Sequence, residues 1–191
     1  MKRSLQCLAI GLGLMALAAT ARAAEIVLER SAVDKLVLQS VFTNGGRYDL
    51  LKGPCFAFLD RPSVTIDSGR VRIRSHLSAR LGVVDRRNCV GITLASWTEV
   101  SGRPVAQGGS VVLVDVRIDS IEQPNLRMLL ESGLVPALPG AIELDVLKSV
   151  RGMLRDNSGQ FEAEVDAFAI DAVTAADNRL AVRFDFRLVA K

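Results

Sequence analysis

The sequence has few of the residues on which most enzyme active sites depend. Its 191 residues include one histidine, one tryptophan, one tyrosine and three cysteines. A nucleophilic triad needs an imidazole beside the nucleophile, and His76 lies in an alternating segment without a G-x-S-x-G motif. The chain also has no P-loop, no G-x-G-x-x-G and no C-x-x-C motif. We therefore predict that the protein is not an enzyme and uses no cofactor. A hydrolase with an unrecognised site, to be tested first at His76, is the remaining alternative.

A standing excess of positive charge is also absent once the N-terminus is set aside. The chain has 24 basic and 21 acidic residues, and residues 1–23 hold three of the basic ones (Lys2, Arg3 and Arg22) and none of the acidic ones. Residues 24–191 therefore hold 21 of each sign. Nucleic-acid binding depends on a positive surplus, and single-strand binding also depends on aromatic stacking platforms. We predict no nucleic-acid partner.

The N-terminal residues have the form of a secretory leader. Two basic residues precede a short apolar stretch over residues 5–18, and Ala21-Arg22-Ala23 matches the A-x-A cleavage signal. The stretch falls short of the roughly 20 residues that span a bilayer, and no longer apolar run follows. We predict a signal peptide over residues 1–23, cleaved before Ala24. The rest, residues 24–191, forms one domain that is periplasmic or secreted and not an integral membrane protein.

Cleavage removes Cys7 and leaves two cysteines, Cys55 and Cys89. In an oxidising compartment the simplest expectation is one disulfide between them. Two cysteines and one histidine are too few for an ordinary structural zinc site, so we predict no metal.

The clearest pattern is the alternation over residues 70–81. Val71, Ile73 and Leu77 share one face, which predicts a strand with one dry side, as in antiparallel sheets. The other face carries His76 and four arginines: Arg70, Arg72, Arg74 and Arg80. These arginines form either a solvated face, paired with carboxylates such as Asp115 and Asp119, or a binding face for anionic headgroups or an acidic partner.

Similar alternation predicts strands over residues 90–101, 112–119 and 161–188, with turns at 102–104, 108–109 and 177–178. Two segments have helical spacing instead. The first, residues 29–42, begins with a capping-box pattern at Ser31 and Asp34. The second, residues 124–155, is rich in leucine and interrupted by Pro136 and Pro139.

The one-faced strands and helices need a shared apolar interior, and the pattern leaves two alternatives for it. The interior is either a dry core or an elongated cavity. An aliphatic lining would suit an acyl chain, because each buried CH₂ contributes about 0.8 kcal/mol without directional bonds.

The order of elements resembles that of small single-module bacterial members of the tubular lipid-binding superfamily, related in fold to half of a lipopolysaccharide-binding protein. The resemblance covers nearly all of residues 24–191 and rests on residues 62–81, the strand after Gly109 and the helical segment 124–154. It implies a curved antiparallel sheet that wraps a helix and encloses an apolar groove for a lipid or other hydrophobic molecule. Lipoprotein relatives carry a lipidated cysteine after the leader, whereas this chain has Ala24.

We therefore predict an α+β fold in which a curved antiparallel β-sheet packs on or wraps two amphipathic helices, one interrupted by prolines. The predicted function is non-enzymatic binding or carriage of a lipid or other hydrophobic ligand in the periplasm. The alternative is an envelope protein-protein interaction module with a dry core, which uses the arginine-bearing face. The predicted ligand-lining residues are all apolar: Val71, Ile73, Leu77, Leu94, Val114, Val116, Leu126, Leu129, Leu130, Val146, Phe184 and Phe186.

Overall fold

The structure is a computed structural model that describes residues 24–124, 127–128, 140–157 and 163–190. The predicted signal peptide lies outside these residues, as do Leu126, Leu129, Leu130, Pro136 and Pro139. The strands are β1 (Ala24–Glu29), β2 (Arg47–Leu51), β3 (Phe56–Asp67), β4 (Arg70–Asp85), β5 (Asn88–Gln107), β6 (Ser110–Ile121), β7 (Ile142–Leu144), β8 (Ala163–Ala176) and β9 (Arg179–Ala190). The helices are α1 (Arg30–Ser40) and α2 (Val146–Asn157). No helix in these ranges is long and apolar enough to cross a membrane.

The strands form two antiparallel sheets and not the single sheet that we predicted. The larger has the order β2-β3-β4-β5-β6-β7, and the smaller has the order β1-β9-β8. Sequence analysis missed β1, which pairs with β9 and makes the second sheet three-stranded. Asn178, in the β8–β9 turn, joins the two sheets, since its side-chain oxygen accepts from the backbone N–H of Ile66 and its own N–H donates to the Ile66 carbonyl. Residues from both sheets and from α1 form one apolar cluster.

The alternation over residues 70–81 is confirmed in β4. Val71, Ile73, Leu77 and Ala79 are all buried, and the arginines point to the other face. Sharp turns join the long strands. Asp177 and Asn178 both have positive φ, as do Ser68 and Gly69 between β3 and β4, which is the geometry of tight hairpin turns.

Two predicted boundaries were wrong. Residues 102–104 do not turn the chain, because β5 continues through them with irregularities in its pairing to β6. Such bulges let a strand bend without ending. The second helical segment is also interrupted by a strand. Ile142 pairs with Leu113 in β7, and α2 begins only at Val146.

The predicted capping box of α1 was also wrong. The helix begins after Glu29, which makes no side-chain cap hydrogen bond. The Asp34 carboxylate instead accepts a 2.6 Å hydrogen bond from the backbone N–H of Val64 in β3. It therefore fastens the helix to the six-stranded sheet. Val33, Leu36 and Val37 form the buried side of α1.

The β4–β5 hairpin is longer than its neighbours. Strand β3 pairs with β4 only as far as Arg80, and β6 begins its pairing with β5 at Thr98. Residues 81–92 are therefore a two-stranded ribbon beyond the six-stranded sheet, and we call them the arm. The predicted disulfide between Cys55 and Cys89 is confirmed and ties the arm to the residue before β3. A disulfide is typical of oxidising, extracytoplasmic compartments.

Candidate functional site

The structure buries most of the predicted ligand-lining residues that it describes, but it does not gather them around one cavity. Val71, Ile73, Leu77, Val146 and Phe184 are buried. The others are more open. Leu94 and Val116 pack partly buried against the core, Val114 is half-buried, and Phe186 is 46% exposed.

A small void lies inside the curl of the six-stranded sheet. It measures about 20 Å³, and Ile73 is the one described residue of the predicted lining that borders it. The full lining is Val41, Phe42, Tyr48, Leu59, Ile73, Ser75, Val100 and Ile142. A space of this size holds about one water molecule. The lining is apolar except for the hydroxyls of Ser75 and Tyr48, so a water would find few partners there.

Ser75 differs from the rest of this lining because it places a fully buried polar hydroxyl in an apolar interior. It follows Val71 and Ile73 on the dry face of β4 and is fully buried. Among the described residues, its hydroxyl is a buried side-chain polar atom without a hydrogen-bond partner. The neighbouring buried hydroxyls are satisfied, since Thr98 donates to the Ser75 carbonyl and Ser96 donates to a backbone carbonyl. An unpaired buried hydroxyl costs about 1–3 kcal/mol, so this position is unusual for a purely structural residue.

A larger open cleft of about 350 Å³ lies where the two edges of the six-stranded sheet approach each other. Strand β2 contributes Tyr48 and Asp49, and β7 contributes Ile142 and Glu143. The C-terminal end of α1 contributes a third side of the cleft. Because β2 and β7 are the opposite edges of one sheet, the sheet is curled into a half-barrel, and this cleft is its seam.

Three side chains border both the seam cleft and the void: Val41, Tyr48 and Ile142. They form a thin wall between solvent and the apolar interior. Burial raises the pKa of the Tyr48 phenol above its ordinary value of 10.0. The Tyr48 ring also packs against Phe42, with ring centroids 6.4 Å apart. The wall is therefore made of apolar contacts and one aromatic ring, with no ion pair among these three residues.

The rim of the seam cleft is polar and internally balanced. Arg47, Asp49, Lys52 and Glu143 bring two positive and two negative charges. The Lys52 ammonium lies 3.6 Å from the Asp49 carboxylate, which also accepts a hydrogen bond from Asn44. A rim with balanced charges can contact a polar headgroup of either sign and does not select for one of them.

The arginine face of β4 is largely neutralised within the protein. The Arg72 guanidinium lies 2.7 Å from Asp119, 3.0 Å from Asp67 and 3.5 Å from Glu99. Arg70 donates to the Ser101 hydroxyl and to two backbone carbonyls. The expectation that neighbouring carboxylates pair with this stripe is confirmed at Asp119.

The same pairing explains the acidity of Asp119. Burial by itself would raise the pKa of this carboxyl, but hydrogen bonds with Ser101 and Arg117 and the charges of Arg72 and Arg117 outweigh burial. The folded pKa of Asp119 is therefore lowered from its ordinary value of 3.8.

Arg74 and His76 belong to a cluster around Trp97. The Arg74 guanidinium lies 4.9 Å from the centre of the indole ring, Arg61 lies 5.1 Å from it, and the His76 ring meets its edge. Arg61 reaches the ring from a bulge between β3 and β4, where its φ of 50° turns the chain. Cation–π contacts of this kind stabilise a sheet surface.

The His76 geometry does not form a catalytic relay. The Ser78 hydroxyl lies 3.3 Å from Nδ1 of His76, and the Asp60 carboxylate lies 3.4 Å from that same nitrogen. A triad needs the nucleophile on one ring nitrogen and the carboxylate on the other. Within the described residues, no three His, Cys, Asp or Glu side chains are placed to hold a metal ion.

A scan of the chain against protein-family models and a search of curated proteins both find no match.

Proposed function

We propose that the protein binds a lipid or another hydrophobic ligand without catalysis. The apolar part of the ligand enters the interior of the curled sheet, and its polar end stays in the seam cleft between β2 and β7. This proposal keeps the predicted class of ligand and moves the site to a specific place in the fold. The resemblance to the tubular lipid-binding superfamily supports the same class of ligand.

The buried Ser75 hydroxyl is the observation on which this proposal rests. It borders the void and has no hydrogen-bond partner among the described residues. A ligand atom that accepts from or donates to this hydroxyl would remove its desolvation cost. Natural cores rarely leave such a group unpaired, and unpaired groups are often linked to function.

Ligand binding requires the wall to move. The void of about 20 Å³ is too small for more than one or two heavy atoms, whereas the seam cleft has about 350 Å³. The seam is the weakest part of the sheet, since β7 has three residues and β2 has five, and each is paired on one side only. Local opening is least costly where few backbone hydrogen bonds must break. Displacing Tyr48 and Ile142 would join the cleft to the interior.

We place this binding in the periplasm or outside the cell. The secretory leader pattern and the disulfide both agree with that location. A soluble carrier in such a compartment would shield a hydrocarbon chain from water, because burial contributes about 25 cal/mol per Å² of apolar surface.

The arginine-bearing face of β4 gives less support to the alternative function, an envelope protein-protein interaction module. Arg70 and Arg72 are engaged within the sheet, so a partner would have to break these contacts before it could use either charge. Replacing both arginines by glutamate would therefore disturb the protein itself as well as any partner.

The decisive experiment is binding of a fluorescent fatty acid to purified residues 24–191. The Val41→Trp variant enlarges one side chain of the wall and is expected to reduce uptake at least tenfold. Its matched control is Leu38→Trp, on the same helix but 41% exposed and outside both the cleft and the void. Native mass spectrometry should show lipid that co-purifies with the unmodified protein. Failure of the unmodified protein to take up the probe, or equal uptake by both variants, would contradict the proposal.

A further inference from the structure

The arm exposes an unusual amount of aliphatic surface. Val83 is 75% exposed, Val90 is 62% exposed, Val84 is 54% exposed and Ile92 is 49% exposed. These side chains lie within ten residues of one two-stranded ribbon. Exposed apolar side chains that are clustered, and not scattered singly, mark a binding surface.

The pairing register places most of this surface on one side of the arm. Val83 is directly opposite Val90, and Leu81 is directly opposite Ile92. Opposed residues share a face, and so do residues two apart on one strand. The face continues into the dry side of the sheet, where the next pair is Ala79 and Leu94. The apolar inner face of the half-barrel therefore runs out along the arm, where it is open to solvent.

The arginines at the base and tip of the arm also lack acidic partners among the described residues. Arg80, Arg86 and Arg87 lie at its base and tip, and Asp85 is the one acidic residue between positions 80 and 94. None of these arginines forms an ion pair with a described residue, unlike Arg72 and Arg103 in the body of the sheet. Arg80 and the arm together thus have a net charge of +2, whereas the other residues of 24–191 sum to −2.

We infer that the arm docks the protein on the surface of an anionic lipid bilayer. The aliphatic face would lie among the lipid tails near the interface, and the three arginines would meet lipid phosphates. This inference does not rest on ligand binding in the half-barrel. It adds a membrane-contact surface to a protein that we propose to be otherwise soluble.

Two other occupants fit the arm less well. A second copy of the chain would bring the same +2 charge against the first, which opposes association. A protein partner would meet valine and isoleucine, whereas the aromatic anchors of protein interfaces are tryptophan and tyrosine, and the arm has neither. An anionic bilayer complements both the charge and the aliphatic character of the arm.

The arm is held in a fixed position by two features. The disulfide at Cys89 fastens it to Cys55 at the start of β3. Gly82 and Gly91 face each other across the ribbon so closely that a Cβ on either residue would collide with the opposite backbone. The apolar face is therefore presented by a braced ribbon and not by a loose loop.

Sedimentation of residues 24–191 with lipid vesicles tests the inference. We expect binding to vesicles of phosphatidylcholine with phosphatidylglycerol, much weaker binding to phosphatidylcholine alone, and a decrease as salt is raised. Val83→Ser and Val90→Ser should each weaken binding about tenfold. The double variant Arg86→Gln/Arg87→Gln should weaken it about 25-fold.

Matched controls separate these effects from general ones. Arg179→Gln/Arg187→Gln removes the same net charge from exposed positions on β9, and Val27→Ser removes an exposed valine from β1. Both should bind vesicles like the unmodified protein. Fluorescence of the single tryptophan, Trp97, verifies folding of the arm variants and of these controls.

Several results would overturn the inference. They are absence of binding to anionic vesicles, equal binding by arm and control variants, or a dimer in solution that Val83→Ser dissociates. The wall variant Val41→Trp should keep vesicle binding and lose fatty-acid uptake, whereas the arm variants should do the opposite. Failure of one proposal can therefore be told apart from failure of the other.

Discussion

Replacing Ser75 by alanine should stabilise the ligand-free protein, which is the reverse of the usual effect of a mutation in a buried strand. The hydroxyl is fully buried and has no partner in the described part of the chain. Its removal relieves about 1–3 kcal/mol of desolvation cost. Doubling the void of 20 Å³ would cost only about 0.5 kcal/mol at 24 cal/mol per Å³. The net expectation is a gain of about 1.5 kcal/mol.

Ser101→Ala is the matched control, because the two serines are equally buried on neighbouring strands. The Ser101 hydroxyl accepts a 2.9 Å hydrogen bond from Arg70 and is also hydrogen-bonded to Asp119. Its loss leaves charged groups less well paired and should cost about 1–3 kcal/mol. The two alanine variants should therefore shift stability in opposite directions.

Urea unfolding followed by Trp97 fluorescence measures both differences, and calorimetry gives the change in Tm. For a domain of this size, 1.5 kcal/mol corresponds to about 3–6 °C. A saturating fatty acid should reduce or reverse the advantage of Ser75→Ala, because ligand binding stabilises the form that binds it better. If Ser75→Ala were destabilised like Ser101→Ala, the hydroxyl would have a partner in the folded protein, and the argument for a ligand site at the void would fail.

Three further predictions use other parts of the structure. The Cys55→Ser/Cys89→Ser variant should lose about 3–4 kcal/mol of stability in urea unfolding, since the disulfide closes a loop of about 35 residues. Folding lowers the pKa of the Asp119 carboxyl, so the ionised carboxylate stabilises the folded protein. This contribution is present above a pH of about 3.8, the ordinary pKa of the group, and is lost as the pH falls through the lower folded pKa. Asp119→Asn should therefore cost about 2 kcal/mol at neutral pH and almost nothing in strong acid, when unfolding is measured across that range. Tyr48, the single tyrosine, should ionise above pH 10 in a spectrophotometric titration, and a bound ligand that displaces it into solvent should lower its pKa.

The sequence predicted those parts of the fold in which one local pattern decides the outcome. Strand β4 has one buried and one polar face, so its alternation identified both its type and its orientation. The disulfide followed from the number of cysteines in an oxidising compartment. The β8–β9 turn followed from Asp177 and Asn178, which tolerate positive φ.

The candidate site could not be predicted in the same way. Val41, Tyr48 and Ile142 come from the end of α1, from β2 and from β7, and they meet only because the sheet curls until its edges approach. No local pattern encodes the meeting of two sheet edges. Ser75 did have a signal, since it is the polar residue in the apolar series Val71, Ile73, Ser75, Leu77.

The small size of the residues inside the curl has a structural explanation, whereas the unpaired hydroxyl does not. Ser75, Ser96 and Thr98 are buried near the centre of the curved sheet, where small side chains allow the strands to bend inward. Alanine would allow the same curvature at no desolvation cost. Ser96 and Thr98 recover that cost through hydrogen bonds to backbone carbonyls. Ser75 does not recover it among the described residues, so curvature alone explains the size of this residue but not its chemistry. A ligand that reaches the void through the seam would supply the missing partner, and this is why the comparison of Ser75→Ala with and without fatty acid bears directly on function.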